Sequence, residues 1–149
     1  MPKINYIIGD ATRPGTPGNK IICHICNDLG AWGAGFVLAI SRRWSEPEDS
    51  YRRLTALQLG LVQIVPVEDD LSVANMVAQH GIIGISDGPP IRYGALRVCL
   101  AEVNDVAYRT GATLHMPRIG CGLAGGEWSE VEKIIKDVAS VDVYVYDLK

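Results

Sequence analysis

The chain is predicted to fold as an α/β sandwich built around a largely buried sheet. Short apolar runs rich in Ile, Val and Cys alternate along it with stretches whose apolar residues recur at helical spacing. One such run, Lys20–Cys26, is nearly continuous, as in a strand covered on both faces. Two glycine-rich loops, Cys26–Gly35 and Gly120–Gly126, each follow an apolar run and lead toward a helix.

The elements follow in order. Lys3–Ile8 alternates Ile4, Tyr6 and Ile8 and reads as a first strand, ending at Gly9-Asp10. Pro14, Gly15, Pro17 and Gly18 make Thr12–Asn19 a turn-rich loop, and Lys20–Cys26 is the second strand. Phe36–Trp44 reads as a short helix ending in Arg42-Arg43, and Glu46–Leu57 as another with Pro47 in its first turn. Gly60–Val67 and Ser72–Gln79 are strands joined by the acidic turn Glu68-Asp69-Asp70. His80–Pro90, with Gly81, Gly84 and Gly88, is an irregular loop of the length that tends to carry function. Ile91–Arg109 carries Leu96, Cys99, Leu100, Val103 and Val106 at helical spacing and stops at Gly111. Thr113–Met116 is a strand, Ser129-Glu130-Val131-Glu132 a capping box opening the last helix, and Val141–Tyr146 the closing strand.

Residues 1–149 form one domain on this reading, long enough to bury ~70% of the unfolded surface. Net charge is −3 and no basic stripe exists, which argues against generic duplex nucleic-acid binding. No apolar run reaches membrane-spanning length, and the start Met1-Pro2-Lys3-Ile4-Asn5 lacks a secretory apolar region. Cys23 and Cys26 have CxxC spacing, but within a strand they face opposite ways, so buried reduced thiols in a cytoplasmic protein are expected. No metal cluster is visible, and metal-independent behaviour without a cofactor is expected.

Glycine is costly to order, so the two loops mark places where backbone approaches something closely. A helix entrance presents unpaired N–H groups, which suits phosphate, and two such entrances suit a pyrophosphate. Gly120-x-Gly122-x-x-Gly125 matches the dinucleotide fingerprint, but Gly126-Glu127-Trp128 intervenes before the helix. P-loop, GxSxG and HExxH patterns are absent. Asp10 follows the first strand at the same edge, either as a turn residue or as an acceptor for an exocyclic amine. Asn27 and Asp28 open the first loop, where local Asx turns compete with ligand contact. His24 reads first as a hydrogen-bonded core histidine, Trp32 equally as packing or ligand cover, and Trp44 and Trp128 as core anchors. Arg118 reads as a bridge between sheet and loop, and Gln79 and His80 border the irregular loop.

At these residues the chain resembles the macro domain family. Three blocks carry the resemblance: Gly9-Asp10-Ala11-Thr12; His24-Ile25-Cys26-Asn27 running into Gly30-Ala31-Trp32-Gly33-Ala34-Gly35; and Met116-Pro117-Arg118-Ile119-Gly120-Cys121-Gly122-Leu123 with Trp128. The last looks like the branch of the terminal ADP-ribose glycohydrolases and small bacterial stand-alone macro domains. The resemblance implies a three-layer α/β/α sandwich with a central mixed sheet and a site for ADP-ribose. Asp10 and the Ala11 backbone would take adenine, with Tyr146, placed after the last strand, as a candidate wall. Asn27 would bond the distal ribose, with Trp32, Gly33, Ala34 and Gly35 around it. Gly120, Cys121, Gly122, Leu123, Ala124 and Gly125 would wrap the diphosphate.

Where lysine-dependent members of that branch carry their nucleophile, this chain aligns Gln79, and it has Ala124 in place of their aspartate. The expected activity is therefore hydrolysis of O-linked, ester-type ADP-ribose by water attack at the anomeric carbon. Asn27 would orient the ribose, Asp28 and Gln79 would hold water, and His24 or His80 would serve as weaker general bases. His24 also matches a histidine of phosphatase-like members, which keeps 1″-phosphate hydrolysis as an alternative. A non-catalytic ADP-ribose reader, less expected at stand-alone length, and an NAD-binding protein are the others. The expected partner is ADP-ribose on protein, nucleic acid or a metabolite, with no membrane, and the expected state is monomeric.

Overall fold

The computed structural model describes residues 2–82 and 88–148. Six strands and four helices run in the order β1 (Ile4–Ile8), β2 (Lys20–Asn27), α1 (Phe36–Ser41), α2 (Glu46–Arg52), β3 (Val62–Glu68), β4 (Leu71–Gln79), α3 (Tyr93–Thr110), β5 (Thr113–Met116), α4 (Trp128–Val138) and β6 (Val143–Asp147). The strands form one sheet in the order β1-β6-β5-β2-β4-β3. Every pairing is parallel except β3 on β4, so the sheet is mixed. The carboxyl ends of β1, β2, β4, β5 and β6 consequently share one edge, where α/β sheets bind ligands.

Strand alternation divides the core into two layers. Cys23, Met76, Leu114 and Val145 project into a cluster under α3 and α4, with Leu96, Leu100 and Ile135. Ile22, Cys26, Val73 and Val77 project the other way, under α1 and α2, with Ile40, Trp44 and Tyr51. Cys23 and Cys26 thus occupy opposite faces, as their spacing requires, and burial raises both thiols, Cys23 to about 12. Each fully buried Ile, Leu or Met side chain contributes roughly 1.5–3 kcal/mol of transfer free energy. Gly111 ends α3 at φ 70°, where a Cβ would be strained.

Several boundaries differ from the sequence expectation. α1 stops at Ser41, and Trp44 turns its indole N–H onto Glu68, 3.1 Å away, while its ring joins the core. α2 stops at Arg52 because Leu54 and Leu57 leave the helix to pack on the α1–α2 cluster. The capping box is not used. α4 begins at Trp128, its N-cap is Glu127 with no side-chain cap, and Ser129 lies in the first turn. The Tyr93 hydroxyl fixes that start by accepting the Glu127 N–H at 3.0 Å. β6 begins at Val143 and runs to Asp147, which pairs with Ile8. Of the expected irregular loop, residues 83–87, Gly84 among them, lie outside the described residues. Its ends are clamped: the His80 N–H donates to the Pro90 carbonyl at 2.8 Å, and Gln79 bridges Ile91.

Candidate active-site groove

β2 ends on a register shift between Cys26 and Asn27, which carries the first glycine loop off the sheet edge. Asn27 is the last residue of that strand, buried, and organises the loop. Its Oδ1 accepts the N–H of Leu29 and Ala31, at 3.0 and 3.1 Å, and the Tyr51 hydroxyl at 2.9 Å. Its Nδ2 donates to the Ala31 carbonyl at 2.8 Å, and the residue lines the groove.

Two adjoining cavities of about 280 and 380 Å³ lie along the strand ends. Ile25, Ala34, Val37, Gln79 and Leu123 line both, so the cavities form one groove with a waist. One lobe runs past Gly35, Gly120 and Gly122 to Pro117 and Arg118; the other reaches Asn27, Ala31 and Gly33. Among the described residues, no protein acceptor takes the backbone N–H of Gly33, Ala34, Gly35, Gly120, Gly122, Leu123 or Ala124. Two loops thus present free donors to the same groove, an arrangement suited to an anion.

The second loop holds its shape by folding on itself. The N–H of Gly126 reaches the Gly120 carbonyl at 2.6 Å, and that of Gly125 the Gly122 carbonyl at 3.0 Å. Gly120 has φ +77°, and a Cβ there would overlap the Ile91 side chain. Cys121 and Gly125, both expected on the diphosphate, line neither lobe. The Cys121 thiol turns back to the Ile119 carbonyl at 3.5 Å, and Gly125 lies against Pro89.

The ionisable candidates separate by environment. His24 is 1% exposed, its ring is T-stacked on Trp32, and the residue borders the groove. Burial pushes its imidazole down to about 4, with the Asn75 hydrogen bond opposing, so the ring is neutral at pH 7. Asp28 lines neither lobe. Its two oxygens take the Gly81 N–H at 2.8 Å and the His80 ring at 2.7 Å. Burial raises the Asp28 carboxyl, but the Gly81 and His80 hydrogen bonds outweigh it and hold the group below the usual carboxylate range. Asp28 therefore tethers the chain after β4, and the structure places it outside both lobes, away from its expected part as a water holder. Gln79 lines both lobes; its Nε2 donates to the Gly81 carbonyl at 3.0 Å.

At the β1–β6 end, Asp10 is half-exposed and follows the first strand. Its Oδ1 accepts the N–H and hydroxyl of Thr12 at 2.8 and 2.7 Å, and Ala11 is buried beside it. Burial raises the Asp10 carboxyl, and the two Thr12 hydrogen bonds bring it below its ordinary value. Arg118 does bridge sheet and loop: its guanidinium grips Asp147 through both oxygens at 2.7 and 2.9 Å, over the Tyr6 and Trp128 rings. Trp128 accordingly sits half-buried against the α3–α4 core.

The structure places two expected ligand contacts in packed surroundings. Trp32 is 4% exposed in the α1–α2 core, and its indole N–H goes to Ser41 at 2.7 Å. Tyr146 lies inside β6, not after it, and its hydroxyl bonds the His115 ring at 2.8 Å. Sequence reasoning missed Tyr51 and Asn75, which build the groove from behind. Asn75 had a signal, a lone amide inside the apolar run of β4; Tyr51, in an otherwise polar helix, had none.

Fold and groove together define a class: an α/β sandwich whose glycine loops open unpaired amides onto a ligand crevice at the strand ends. No family model matches the chain. It is similar to a protein of unknown function from Bacteroides thetaiotaomicron, 52% identical, with TM-score 0.94 over 98% of each chain. It is also similar to a macrodomain protein from Streptomyces coelicolor, 47% identical, with TM-score 0.84 over 97% of this chain and 99% of that one. The chain belongs to the macro domain family. The Chromodomain-helicase-DNA-binding protein 1-like of Mus musculus is 31% identical over 159 residues, so that 96% of this chain spans 17% of that protein. An ADP-ribose 1″-phosphate phosphatase of Candida glabrata is 26% identical over 180 residues, 99% of this chain and 100% of that protein.

Proposed function

We propose that this protein binds ADP-ribose in the groove and hydrolyses O-linked, ester-type ADP-ribose from modified targets. One observation carries the reading: free backbone N–H groups of both glycine loops open onto one two-lobed groove with Gln79 at the waist; Asp10 and Ala11 line neither lobe and follow β1 at the same sheet edge. The diphosphate takes the amides of Gly35, Gly120, Gly122, Leu123 and Ala124. The adenine amino group faces Asp10 and the backbone of Ala11, and the distal ribose lies by Asn27, Gly33 and Ala34.

Neither a lysine at position 79 nor an aspartate at 124 is present, so the attacking group is water. Its oxygen bonds the anomeric carbon as the carbon–oxygen bond to the target's carboxyl breaks, and the carboxylate leaves. The proton passes to a diphosphate oxygen bent back toward that carbon. Gln79 holds the water and Asn27 the ribose, and the acceleration comes from placement and fixed dipoles. No group of three or more metal-ligating side chains occurs among the described residues, and the scheme uses no metal.

Hydrolysis of ADP-ribose 1″-phosphate is the second reading, favoured by the likeness to the Candida glabrata phosphatase over both full lengths. A ring whose proton affinity is pushed down to about 4 makes His24 a weak base for it at neutral pH. Purified protein is offered O-linked ADP-ribosyl-glutamate and ADP-ribose 1″-phosphate, and released ADP-ribose and phosphate are measured beside calorimetry with free ADP-ribose. Release from the ester substrate supports the main reading, and release of phosphate alone supports the second. Tight binding with neither product would leave a reader.

A further inference from the structure

Ile91 stands just ahead of the Arg92 N-cap of α3 and is 5% exposed, yet it lines neither lobe of the groove. It is bridged to Gln79 in an antiparallel sense, and its neighbours make the bonds of that bridge. The His80 N–H donates to the Pro90 carbonyl and the Arg92 N–H to the Ala78 carbonyl, each at 2.8 Å. A residue between two such bonds turns its own N–H to the other side. There it meets the second glycine loop and donates to the Ala124 carbonyl at 3.0 Å.

That bond completes a pattern in the loop. The Gly120 carbonyl is engaged by the Gly126 N–H and the Gly122 carbonyl by the Gly125 N–H, both from within the loop; the Ala124 carbonyl is engaged from outside it, by Ile91. In a trans peptide the N–H and C=O point opposite ways, so holding the Gly122 carbonyl sends the Leu123 N–H to the far side of the turn. Alternate carbonyls are thus occupied, while the N–H groups of Gly122, Leu123 and Ala124 keep no protein acceptor among the described residues. The Ile91 side chain supports the same shape by bulk. A Cβ on Gly120 would overlap it, and one on Gly126 would come within 3.0 Å of its Cδ1 and 3.3 Å of its Cγ2. Gly126 has no positive φ, so its bare Cα answers to Ile91 and to the Gly120 carbonyl, not to backbone strain.

We propose that Ile91 is the positioning residue of the diphosphate site: it props the second loop in the shape that frees those amides, and through Gln79 it fixes that loop relative to the waist of the groove. The inference rests on the ADP-ribose reading above and adds to it a residue that touches no ligand. Shortening the side chain keeps the N–H donor but opens a void behind Gly120 and Gly126, into which the loop relaxes.

The test is calorimetry with ADP-ribose on Ile91→Val, Ile91→Ala and Val103→Ala. Val103, 0% exposed farther along α3 in the same core cluster, is the control for lost packing. Ile91→Ala binds at least ~10-fold more weakly than wild type, the worth of one charge-assisted hydrogen bond. Ile91→Val, which lacks only Cδ1, falls between the two. Val103→Ala melts earlier but keeps the wild-type affinity. Amide NMR of the free proteins shows the Gly122, Leu123 and Ala124 signals displaced in Ile91→Ala and unmoved in Val103→Ala. Wild-type affinity in Ile91→Ala, or an equal loss in Val103→Ala, overturns the proposal; should Ile91→Ala not fold, Ile91→Val decides by the same comparison. If the wild-type protein binds no ADP-ribose, the functional reading itself fails. Wild-type binding with undisplaced loop amides in the Ile91 variants overturns this inference alone.

Discussion

Acidification from pH 7 to pH 5 destabilises this protein through two histidines that fold without their protons. His24 is 1% exposed and His115 is 0% exposed. His115 is enclosed by the Thr113 hydroxyl and the Tyr146 hydroxyl, each at 2.8 Å, and stacks on Tyr144 at 4.9 Å. Burial pushes both rings from the ordinary 6.5 down to about 4, and the charge of Lys20 adds to the effect at His115. Above 6.5 neither state binds the protons. Between 6.5 and 4 the unfolded chain takes them up and the folded chain does not, so stability falls as pH falls. At pH 5 that difference amounts to about 2 kcal/mol per ring, or about 4 kcal/mol for both. For a chain of this size the loss lowers Tm by roughly 8–16 °C. Thermal unfolding at the two pH values, with ring NMR of both histidines, is the assay. An unchanged Tm, or rings that titrate near their ordinary value in the folded protein, would refute the reasoning.

Three substitutions test the groove. Gly120→Ala places a side chain at φ +77° against Ile91; left-handed strain of ~1–2 kcal/mol is the minimum cost, and calorimetry should show ADP-ribose affinity falling further than the melt accounts for. Tyr51→Phe removes the hydroxyl that bonds the backbone and side-chain oxygens of Asn27 and receives the Gly30 N–H. It should cost about 1–3 kcal/mol in denaturant melts and slow turnover by loosening the first loop. Asp10→Ala should weaken ADP-ribose binding about 10-fold and narrow the preference over a guanine analogue, which competition calorimetry reads. A variant with unaltered preference would move the adenine away from Asp10.

The order of strands and helices was legible because apolar periodicity is local: continuous Ile and Cys in β2, helical spacing in α3, and glycine punctuation between them. The two loops were legible for the same reason, since glycines that must adopt positive φ, such as Gly35 and Gly120, are written into the chain. What each side chain does at the groove was not. Trp32 and Tyr146 carry nothing in their neighbours that says whether an aromatic ring meets ligand or core; in the fold the Trp32 indole N–H goes to Ser41 and the Tyr146 hydroxyl bonds His115. Asp28 looked poised over the site, and only the return of the chain after β4 shows both its oxygens occupied.

The sequence by itself determined the α/β alternation, the family, the glycine loops and the absence of a lysine at position 79. These depend on residue identity and short-range spacing. Tertiary structure alone decided that five parallel strands bring both loops to one edge and that Asn27 is held by Tyr51. It alone decided that the His24 imidazole is buried against Trp32 and bonded to Asn75. Those outcomes turn on partners dozens of residues away, because hydrogen-bond direction and burial are properties of the packed neighbourhood and not of the residue.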